Sequence, residues 1–342
     1  MSHHSAGVEI AGLLTTYNRA HLLPRILDGL ARQDLPRERY EIVIVNDGSC
    51  DETRDLLESY AGQIANLRVI HQSHTGLASA RNLAIVAARA PIVVFLDDDD
   101  IAGRGLLSAH LAAHARHPAL NMAILGHTHL DEKIASLPLM HHVTKVEGQL
   151  FSYSWMKPGA TLSFREFWGG RSSCKRGLLL THGLFNPAFE FGCEDIELGW
   201  RMKKVGLQVV YEPAAVATMI RALSYDDFCR RSYRQGRSQA KVYDLHNEPE
   251  IRAYCEIDAA LTLWPESRPL FKRLVDHVRK LDEYALEASL RMEEMPSDLA
   301  KALHEGYRDV FALWRAKGVN DEMTRLKGMP RLRPPGSMAF GL

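Results

Sequence analysis

The chain has 342 residues, of which 46% are apolar and 25% are charged, as in an ordinary globular protein. Its 42 lysine and arginine residues balance 42 aspartate and glutamate residues, which gives no support for a nucleic-acid partner. No signal peptide is recognised, and no apolar run approaches the ~18 residues of a membrane span. The five cysteines are scattered, which fits a reducing compartment, so we expect a cytoplasmic protein without a transmembrane segment.

Residues 8–100 alternate between strand-like and helix-like segments. Strands are predicted at residues 8–15, 40–45, 67–71 and 91–96, with helices at residues 21–33, 51–61 and 77–89. This alternation is typical of a doubly wound α/β fold with a mostly parallel sheet, in which ligands bind outside the carboxyl ends of the strands. Further along, a helix is predicted at residues 106–117, a strand at 121–130, a helix at 193–205 and a strand at 208–211. Charged helices are predicted at residues 226–317.

The first two strands are followed by polar residues suited to binding a nucleotide. Thr15, Tyr17 and Arg19 follow the first strand, and Asp47 follows the second. An aspartate at a strand end can accept a hydrogen bond from a base N–H, and the first turn can hold a ribose or a base. Ordinary turn chemistry is an alternative for either motif alone. The GxGxxG motif of a Rossmann dehydrogenase is absent.

Four consecutive aspartates, Asp97 to Asp100, follow the apolar strand at residues 91–96. Like charges at one strand end repel one another, so a nearby cation is expected to offset the cost. Mg²⁺ and Mn²⁺ prefer oxygen ligands and often share their coordination with a substrate's phosphates. The run therefore indicates a metal–diphosphate site, although a solvated acidic loop or a helix N-terminus would also explain it.

Two later motifs carry candidate functional residues. Arg81 lies one turn into an alanine-rich helix and could reach the nucleotide, or it could be an ordinary surface arginine. Glu194 and Asp195 begin a helix, where acidic side chains stabilise the helix dipole. One of them could instead be a general base if burial or the neighbouring charge raises its pKa.

Taken in order, these segments resemble the family 2 glycosyltransferases, which are inverting enzymes of the GT-A fold. The resemblance extends over roughly residues 8–240. It consists of T-Y-N-R after the first strand, N-D-G-S after the second, A-R-N on the third helix, a D-x-D motif after the fourth strand and E-D on a later helix. No single motif is specific, but the ordered set is.

The resemblance implies a Rossmann-like, mostly parallel sheet flanked by helices, with a helical C-terminal extension. The catalytic domain would be residues 1–225, with a nucleotide-binding half at 8–100 and an acceptor half at 101–225. The helical extension would be residues 226–330, followed by an extended tail at residues 331–342.

The resemblance also implies roles for individual residues. Those expected to contact the nucleotide sugar lie at strand ends or on the third helix: Thr15, Tyr17, Arg19, Asp47, Arg81, Asp97 and Asp98. Asp99 would ligate the metal, and Asp195 would be the catalytic base with Glu194 beside it. Those expected to line the acceptor site lie in the aromatic segment and the strand after it: Trp155, Trp168, Gly170 and Ser172.

The implied reaction moves a sugar from a nucleotide-diphosphate donor, a UDP-sugar in the commonest case, to a glycan, lipid-linked or peptide acceptor. The cofactor would be Mn²⁺ or Mg²⁺. Family members often carry a further metal-binding histidine where this chain has Met219, so the source of that ligand is open. The sequence leaves the oligomeric state open, and peripheral attachment to the inner face of a membrane is an alternative location.

Two other functions were considered. A sugar nucleotidyltransferase binds similar nucleotides, but it should carry a glycine-rich loop with a lysine after the first strand, and residues 15–19 contain neither. A catalytically inactive glycan-binding relative should have lost its acidic residues, yet Asp47, Asp99 and Asp195 are all present.

Overall fold

A computed structural model describes residues 7–328; the tail expected at residues 331–342 lies outside them. The described residues fall into two compact units. The first comprises residues 7–225 and 281–304, and the second comprises residues 226–280 and 305–328. The chain thus leaves the first unit, returns to it and leaves it again.

The first unit is built on a mixed, mostly parallel sheet. Its strands, in chain order, are β1 (Ile10–Thr16), β2 (Tyr40–Asp47), β3 (Leu67–Gln72), β4 (Ile92–Leu96), β5 (Asp100–Ala102), β6 (Met122–Leu130), β7 (Thr161–Leu162), β8 (Ser172–Lys175) and β9 (Gln208–Met219). The spatial order is β3-β2-β1-β4-β8-β6-β9-β5, and β7 pairs with β9. Strands β1 to β4 are parallel, as predicted, and β8 runs antiparallel between β4 and β6.

Helices cover both faces of this sheet. They are α1 (Leu23–Ala31), α2 (Thr53–Ala61), α3 (Leu77–Ala87), α4 (Leu106–Arg116), α5 (Glu132–Ala135), α6 (Pro138–His141), α7 (Arg176–His182) and α8 (Glu194–Lys203). Alternate residues of β1 enter different cores. Leu13 packs with Ala84 of α3 and Leu198 of α8, whereas Leu14 packs with Leu27 of α1 and Leu107 of α4. Burial on both faces explains why these strands are almost continuously apolar.

Strand β9 is longer than the sequence indicated. We expected it to stop near Tyr211, before Glu212 and Pro213, but it continues to Met219. A register shift against β6 separates the pairs Leu125–Tyr211 and His127–Val216. A bulge tolerates a proline that would otherwise break the ladder, so the strand resumes on the far side.

The C-terminal region is helical, as predicted. Its helices are α9 (Tyr225–Leu245), α10 (Pro249–Tyr254), α11 (Ile257–Ser267), α12 (Phe271–Leu290) and α13 (Ser297–Lys327), and the last two contribute to both units. In the second unit α9 and α13 approach closely at Gly236. A Cβ at this position would lie 2.0 Å from the Arg315 carbonyl oxygen, so only glycine fits there. None of the helices described between residues 7 and 328 is long and apolar enough to cross a membrane.

Candidate active site

The carboxyl ends of β2, β1 and β4 lie side by side and bring the predicted nucleotide-binding residues to one edge of the sheet. Asp47 ends β2, Thr16 ends β1, and the aspartate run begins directly after β4. In parallel strands these ends share an edge, which is where doubly wound proteins bind ligands. Thr15 is buried within β1, and Thr16 contacts the acidic run instead, with its hydroxyl donating to Asp98 Oδ2 at 2.9 Å.

Asp47 is buried and holds the loop that follows β3. Its Oδ1 accepts hydrogen bonds from Gln72 Nε2 at 2.6 Å and from the Thr75 backbone N–H at 2.9 Å. Its Oδ2 accepts from the Gly76 N–H at 2.9 Å and lies 2.9 Å from His74 Nδ1. The carboxylate is therefore surrounded by donors from the end of β3 and from the loop that follows it.

The loops after β1 and β2 are tied together beside Asp47. Asn18 adopts a left-handed conformation, with φ at 53°, and its backbone N–H donates to Ser49 Oγ at 2.9 Å. Asparagine tolerates this region better than most residues. Tyr17 is 41% exposed, and its ring stacks on the His74 ring with their centroids 4.3 Å apart.

The first two aspartates of the acidic run are each paired with arginines. Asp97 lies 3.4 Å from Arg81 and 3.6 Å from Arg171. Asp98 lies 3.6 Å from Arg19. Burial and the charge of Asp99 raise the pKa of Asp98 to about 6, against the opposing effect of Arg19. We expected a cation near these aspartates because their like charges repel one another. Among the described residues, the guanidinium groups of arginines provide that positive charge.

The last two aspartates are also paired. Asp99 Oδ2 accepts a hydrogen bond from Arg221 Nε at 2.6 Å, while Asp100 lies 3.4 Å from Arg171 and accepts from the Thr128 hydroxyl at 3.2 Å. Burial raises the pKa of Asp100 to about 8, although Arg171 opposes the shift. Burial would lower the pKa of Arg171, but Asp100 and the neighbouring acidic groups raise it above its usual value, so the arginine stays charged.

The Glu-Asp pair begins α8 and meets the acidic run through Arg81. Glu194 Oε1 accepts a hydrogen bond from Arg81 Nη1 at 2.7 Å, and both side chains are buried. Burial, followed by the charge of Asp195, raises the pKa of Glu194, while Arg81 opposes the shift. Asp195 is half-buried, and its Oδ2 accepts from the Gly169 N–H at 2.9 Å.

Two glycines permit this close packing. A Cβ at Gly169 would lie 2.5 Å from Arg81 Nη1, and a Cβ at Gly170 would lie 1.9 Å from Asp97 Oδ2. Any other residue at either position would displace a charged side chain of the site. Gly170 therefore packs against Asp97. The sequence had suggested only that it lines the acceptor site.

The other residues expected at the acceptor site occupy different surroundings. Trp155 is 58% exposed, whereas Ser172 is fully buried in β8. Trp168 is partly buried, its indole N–H donates to the Arg165 carbonyl at 2.9 Å, and its ring packs edge-on against Tyr153. Much of the aromatic segment is core, including Phe164 and Phe167.

Asp97 and Asp99 provide hard oxygen ligands of the kind that Mg²⁺ and Mn²⁺ prefer. In residues 7–328 no three His, Cys, Asp or Glu side chains form a group that could hold a metal ion. The carboxylates suit such an ion only if the donor's diphosphate and water supply further ligands. Met219 is buried at the end of β9, and Arg221, two residues later, is the side chain that contacts Asp99.

Known proteins are similar to the part of the chain that carries this candidate site. The profile of the family described as glycosyl transferase family 2 matches residues 13–171, which contain the loops after β1 and β2 and the acidic run. Over these residues the chain is similar to glycosyl transferase family 2. The validoxylamine A glucosyltransferase of Streptomyces hygroscopicus subsp. jinggangensis is 33% identical over 218 residues, which are 57% of this chain and 51% of that protein. The chain spans about half the length of the curated relatives it matches first.

Solved structures of similar fold are also glycosyltransferases. The mannosyltransferase PcManGT of Pyrobaculum calidifontis, solved with GDP-Man and Mn²⁺, has a TM-score of 0.58 at 18% identity, covering 94% of this chain and 88% of that one. TarS residues 1–349 of S. aureus, solved with UDP, has a TM-score of 0.52 at 17% identity, covering 94% and 92%. The first unit has the GT-A fold that the sequence predicted, and the helical C-terminal region follows it.

Several residues of this candidate site were not among those expected from the sequence. Gln72 ends β3 and His74 lies on the loop after it, while Thr128, Arg171 and Arg221 surround the acidic run. Arg171 lies directly after Gly170, and Arg221 lies two residues after Met219. Their positions adjoin motifs that were recognised, but nothing in the spacing shows that they contact the aspartates.

Proposed function

We propose that the chain is an inverting, metal-dependent glycosyltransferase that uses a nucleotide-diphosphate sugar, with Asp195 as its general base. The observation that carries the proposal is the connection between the two halves of the site. Arg81 contacts Glu194, the neighbour of Asp195, and also contacts Asp97 at the nucleotide edge. A base and a nucleotide site held together in this way suit direct transfer between two bound substrates.

In the proposed reaction Asp195 accepts the proton of the acceptor's hydroxyl or other nucleophile. The nucleophile attacks the anomeric carbon from the face opposite the nucleotide, and the bond to the leaving phosphate oxygen breaks with its electron pair going to the diphosphate. Hydrogen bonds from the N–H groups of Gly169 and Ile196 orient the Asp195 carboxylate.

A divalent cation would be held by Asp99, with Asp97 nearby. When bound, Mn²⁺ or Mg²⁺ neutralises charge on the diphosphate. Arg171 and Arg221 already place positive charge beside the acidic run, so they would act on the same phosphates. The mannosyltransferase of similar fold, PcManGT, was solved with Mn²⁺, which supports this part of the proposal.

The donor we propose is a UDP-sugar. The matched relatives include glucosyltransferases and an N-acetylglucosaminyltransferase, and TarS was solved with UDP and with UDP-GlcNAc. Tyr17 offers an exposed ring on which a base could stack, and Asp47 offers a carboxylate to a base N–H. Arg19, Arg81 and Asp98 would border the ribose and diphosphate.

The acceptor would be a glycan, a lipid-linked sugar or a peptide bound on the Asp195 side of the site. Trp155 is exposed and able to stack on a sugar ring, and Trp168 lies next to Gly169, which holds Asp195. All five cysteines lie among the described residues and none forms a disulfide there, which fits the proposed cytoplasmic location.

Calorimetry tests the donor with UDP, UDP-glucose, UDP-GlcNAc, GDP, GDP-mannose and CMP, each with Mn²⁺. We expect a uridine nucleotide to bind most tightly, and Asp47→Ala to weaken it because the base loses its acceptor and the loop its anchor. Preference for GDP or CMP would overturn the choice of uridine. If no nucleotide binds with or without Mn²⁺, the glycosyltransferase proposal itself is wrong.

A further inference from the structure

The ring of His74 lies against Tyr17, at the place where the proposed function puts the base of the donor. The two ring centroids are 4.3 Å apart and their planes are inclined by 29°. A flat base inserted between the rings would need roughly twice that separation, since stacked rings require about van der Waals contact on each face. The base and the His74 ring therefore compete for the same face of Tyr17.

The polar edge of the His74 ring also takes the partner that a base would use. Its Nδ1 lies 2.9 Å from Asp47 Oδ2 and 3.1 Å from the Asp47 carbonyl oxygen. An N–H at Nδ1 donates to Asp47 as the ring N–H of uracil or guanine would. The His74 side chain thus makes both of the contacts that the site offers to a base. It stacks on Tyr17, and it hydrogen-bonds to Asp47.

We propose that His74 is an internal occupant of the nucleobase site, which a uracil or guanine base of the donor displaces on binding. The inference rests on the proposed function, since it takes the ligand to be a nucleotide sugar. It makes His74 a determinant of donor affinity.

The surroundings of His74 allow the ring to leave without unfolding the loop. Its side chain is 56% exposed, so its outer face contacts solvent. The neighbouring backbone stays anchored, because Thr75 and Gly76 donate their N–H groups to Asp47 independently of the ring. The backbone is also fixed from the other side, since a Cβ at Gly48 would lie 2.5 Å from the His74 backbone nitrogen. A side-chain rotation alone opens the slot.

An internal competitor lowers the apparent affinity by the fraction of molecules in which the slot is open. Removing the His74 ring should therefore tighten nucleotide binding. The interaction free energy of an aromatic pair corresponds to a roughly two- to tenfold change in a dissociation constant. A histidine that instead clamped the bound base would show the opposite effect, so the direction of the change decides between the two roles.

The test is calorimetric titration of UDP and GDP, with Mn²⁺, into the full chain and into His74→Ala. His182→Ala serves as the control, because His182 is an exposed histidine on α7. We expect a two- to tenfold lower Kd for His74→Ala and no change for the control. Tyr17→Ala should raise the Kd, since the base loses its stacking surface.

A second readout follows the ring itself. With ¹³C-labelled histidine, the His74 resonance, assigned by its absence in His74→Ala, should move to the position of a solvent-exposed histidine as nucleotide saturates the protein. A raised or unchanged Kd in His74→Ala, or a His74 resonance that does not move, overturns the inference alone. Failure of wild type and every variant to bind any nucleotide overturns the proposed function as well.

Discussion

Asp195 is held by backbone rather than by side chains, which matters for its proposed role. Its two carboxylate oxygens accept from the N–H groups of Gly169 and Ile196, and Arg81 pairs with Glu194 rather than with Asp195. Backbone groups thus hold the Asp195 carboxylate in place, while Arg81 is engaged by the neighbouring glutamate. The neighbouring Glu194, buried and paired with Arg81, is better suited to positioning than to proton transfer.

Asp195→Asn should therefore abolish most transfer while sparing donor binding. Asparagine keeps the shape of the side chain but cannot accept the proton, and general-base catalysis contributes roughly two to four orders of magnitude. Initial rates of transfer should fall by that factor, and the Kd for UDP should stay within about twofold. Turnover close to that of wild type would show that another group is the base.

A second residue-scale prediction concerns a buried chain of polar side chains beneath β8. Lys175 Nζ lies 2.9 Å from His114 Nδ1, His114 Nε2 lies 2.9 Å from Ser173 Oγ, and Ser173 Oγ lies 2.8 Å from His110 Nδ1. Because a lysine ammonium can only donate, His114 Nδ1 accepts and Nε2–H donates to the serine. Burial, followed by the charge of Lys175, lowers the pKa of His114 to about 2.

The protein should lose stability through His114 as the pH falls below 6.5. Between pH 6.5 and pH 2 the unfolded chain binds a proton at this histidine that the folded chain does not, so the free energy of unfolding rises with pH there. One such group contributes a slope of about 1.4 kcal/mol per pH unit. His114→Gln should reduce the slope by that amount in urea denaturation at pH 6.5, 5.5 and 4.5. His182→Gln, at an exposed position, should not; equal slopes for the two variants would contradict the assignment.

At the scale of elements, Arg81 joins α3 to α8 and to the end of β4. It pairs with Glu194 at the start of α8 and with Asp97 after β4, and its guanidinium lies 5.4 Å from the Phe185 ring centroid. Removing one partner of a buried ion pair leaves an uncompensated charge and costs about 3–5 kcal/mol. We expect Arg81→Met to lower the free energy of unfolding by that amount.

The double variant separates charge from packing. Arg81→Met with Glu194→Gln removes both charges, so most of the lost stability should return. Arg89→Met is the matched control, because Arg89 is exposed just beyond α3, and it should change the free energy by less than about 0.5 kcal/mol. If the double variant were as unstable as Arg81→Met alone, packing of the guanidinium on Phe185 would outweigh the ion pair.

The elements were easier to predict than their contacts. Apolar runs and helical spacing located β1 to β4 and α1 to α3, because periodicity is a local property of the chain. The predicted end of β9 was wrong. The bulge that lets the strand continue past Pro213 depends on its pairing with β6, which the local sequence does not encode. The Arg81–Glu194 and Asp99–Arg221 pairs join residues 113 and 122 positions apart, and no local pattern encodes such contacts.

At the scale of the whole molecule, the two units are interleaved along the chain. The boundary at residues 225/226 is followed by a return to the first unit over residues 281–304. In that returning segment His304 stacks on His142, which is fully buried, and their Nδ1 atoms lie 2.9 Å apart. Residues 281–304 therefore complete a part of the first unit that the N-terminal segment leaves open.

A chain ending at residue 225 should consequently be less stable than the full chain, although it contains every proposed catalytic residue. The truncation removes the contact between His304 and His142; a hydrogen bond contributes about 1 kcal/mol, and a loss of that size lowers the thermal midpoint by about 2–4 °C or more. Differential scanning fluorimetry measures the midpoint. His304→Ala in the full chain isolates the histidine contact and should give a smaller decrease. A truncated chain that melts with the full chain and binds UDP equally well would show that residues 1–225 form the catalytic domain alone.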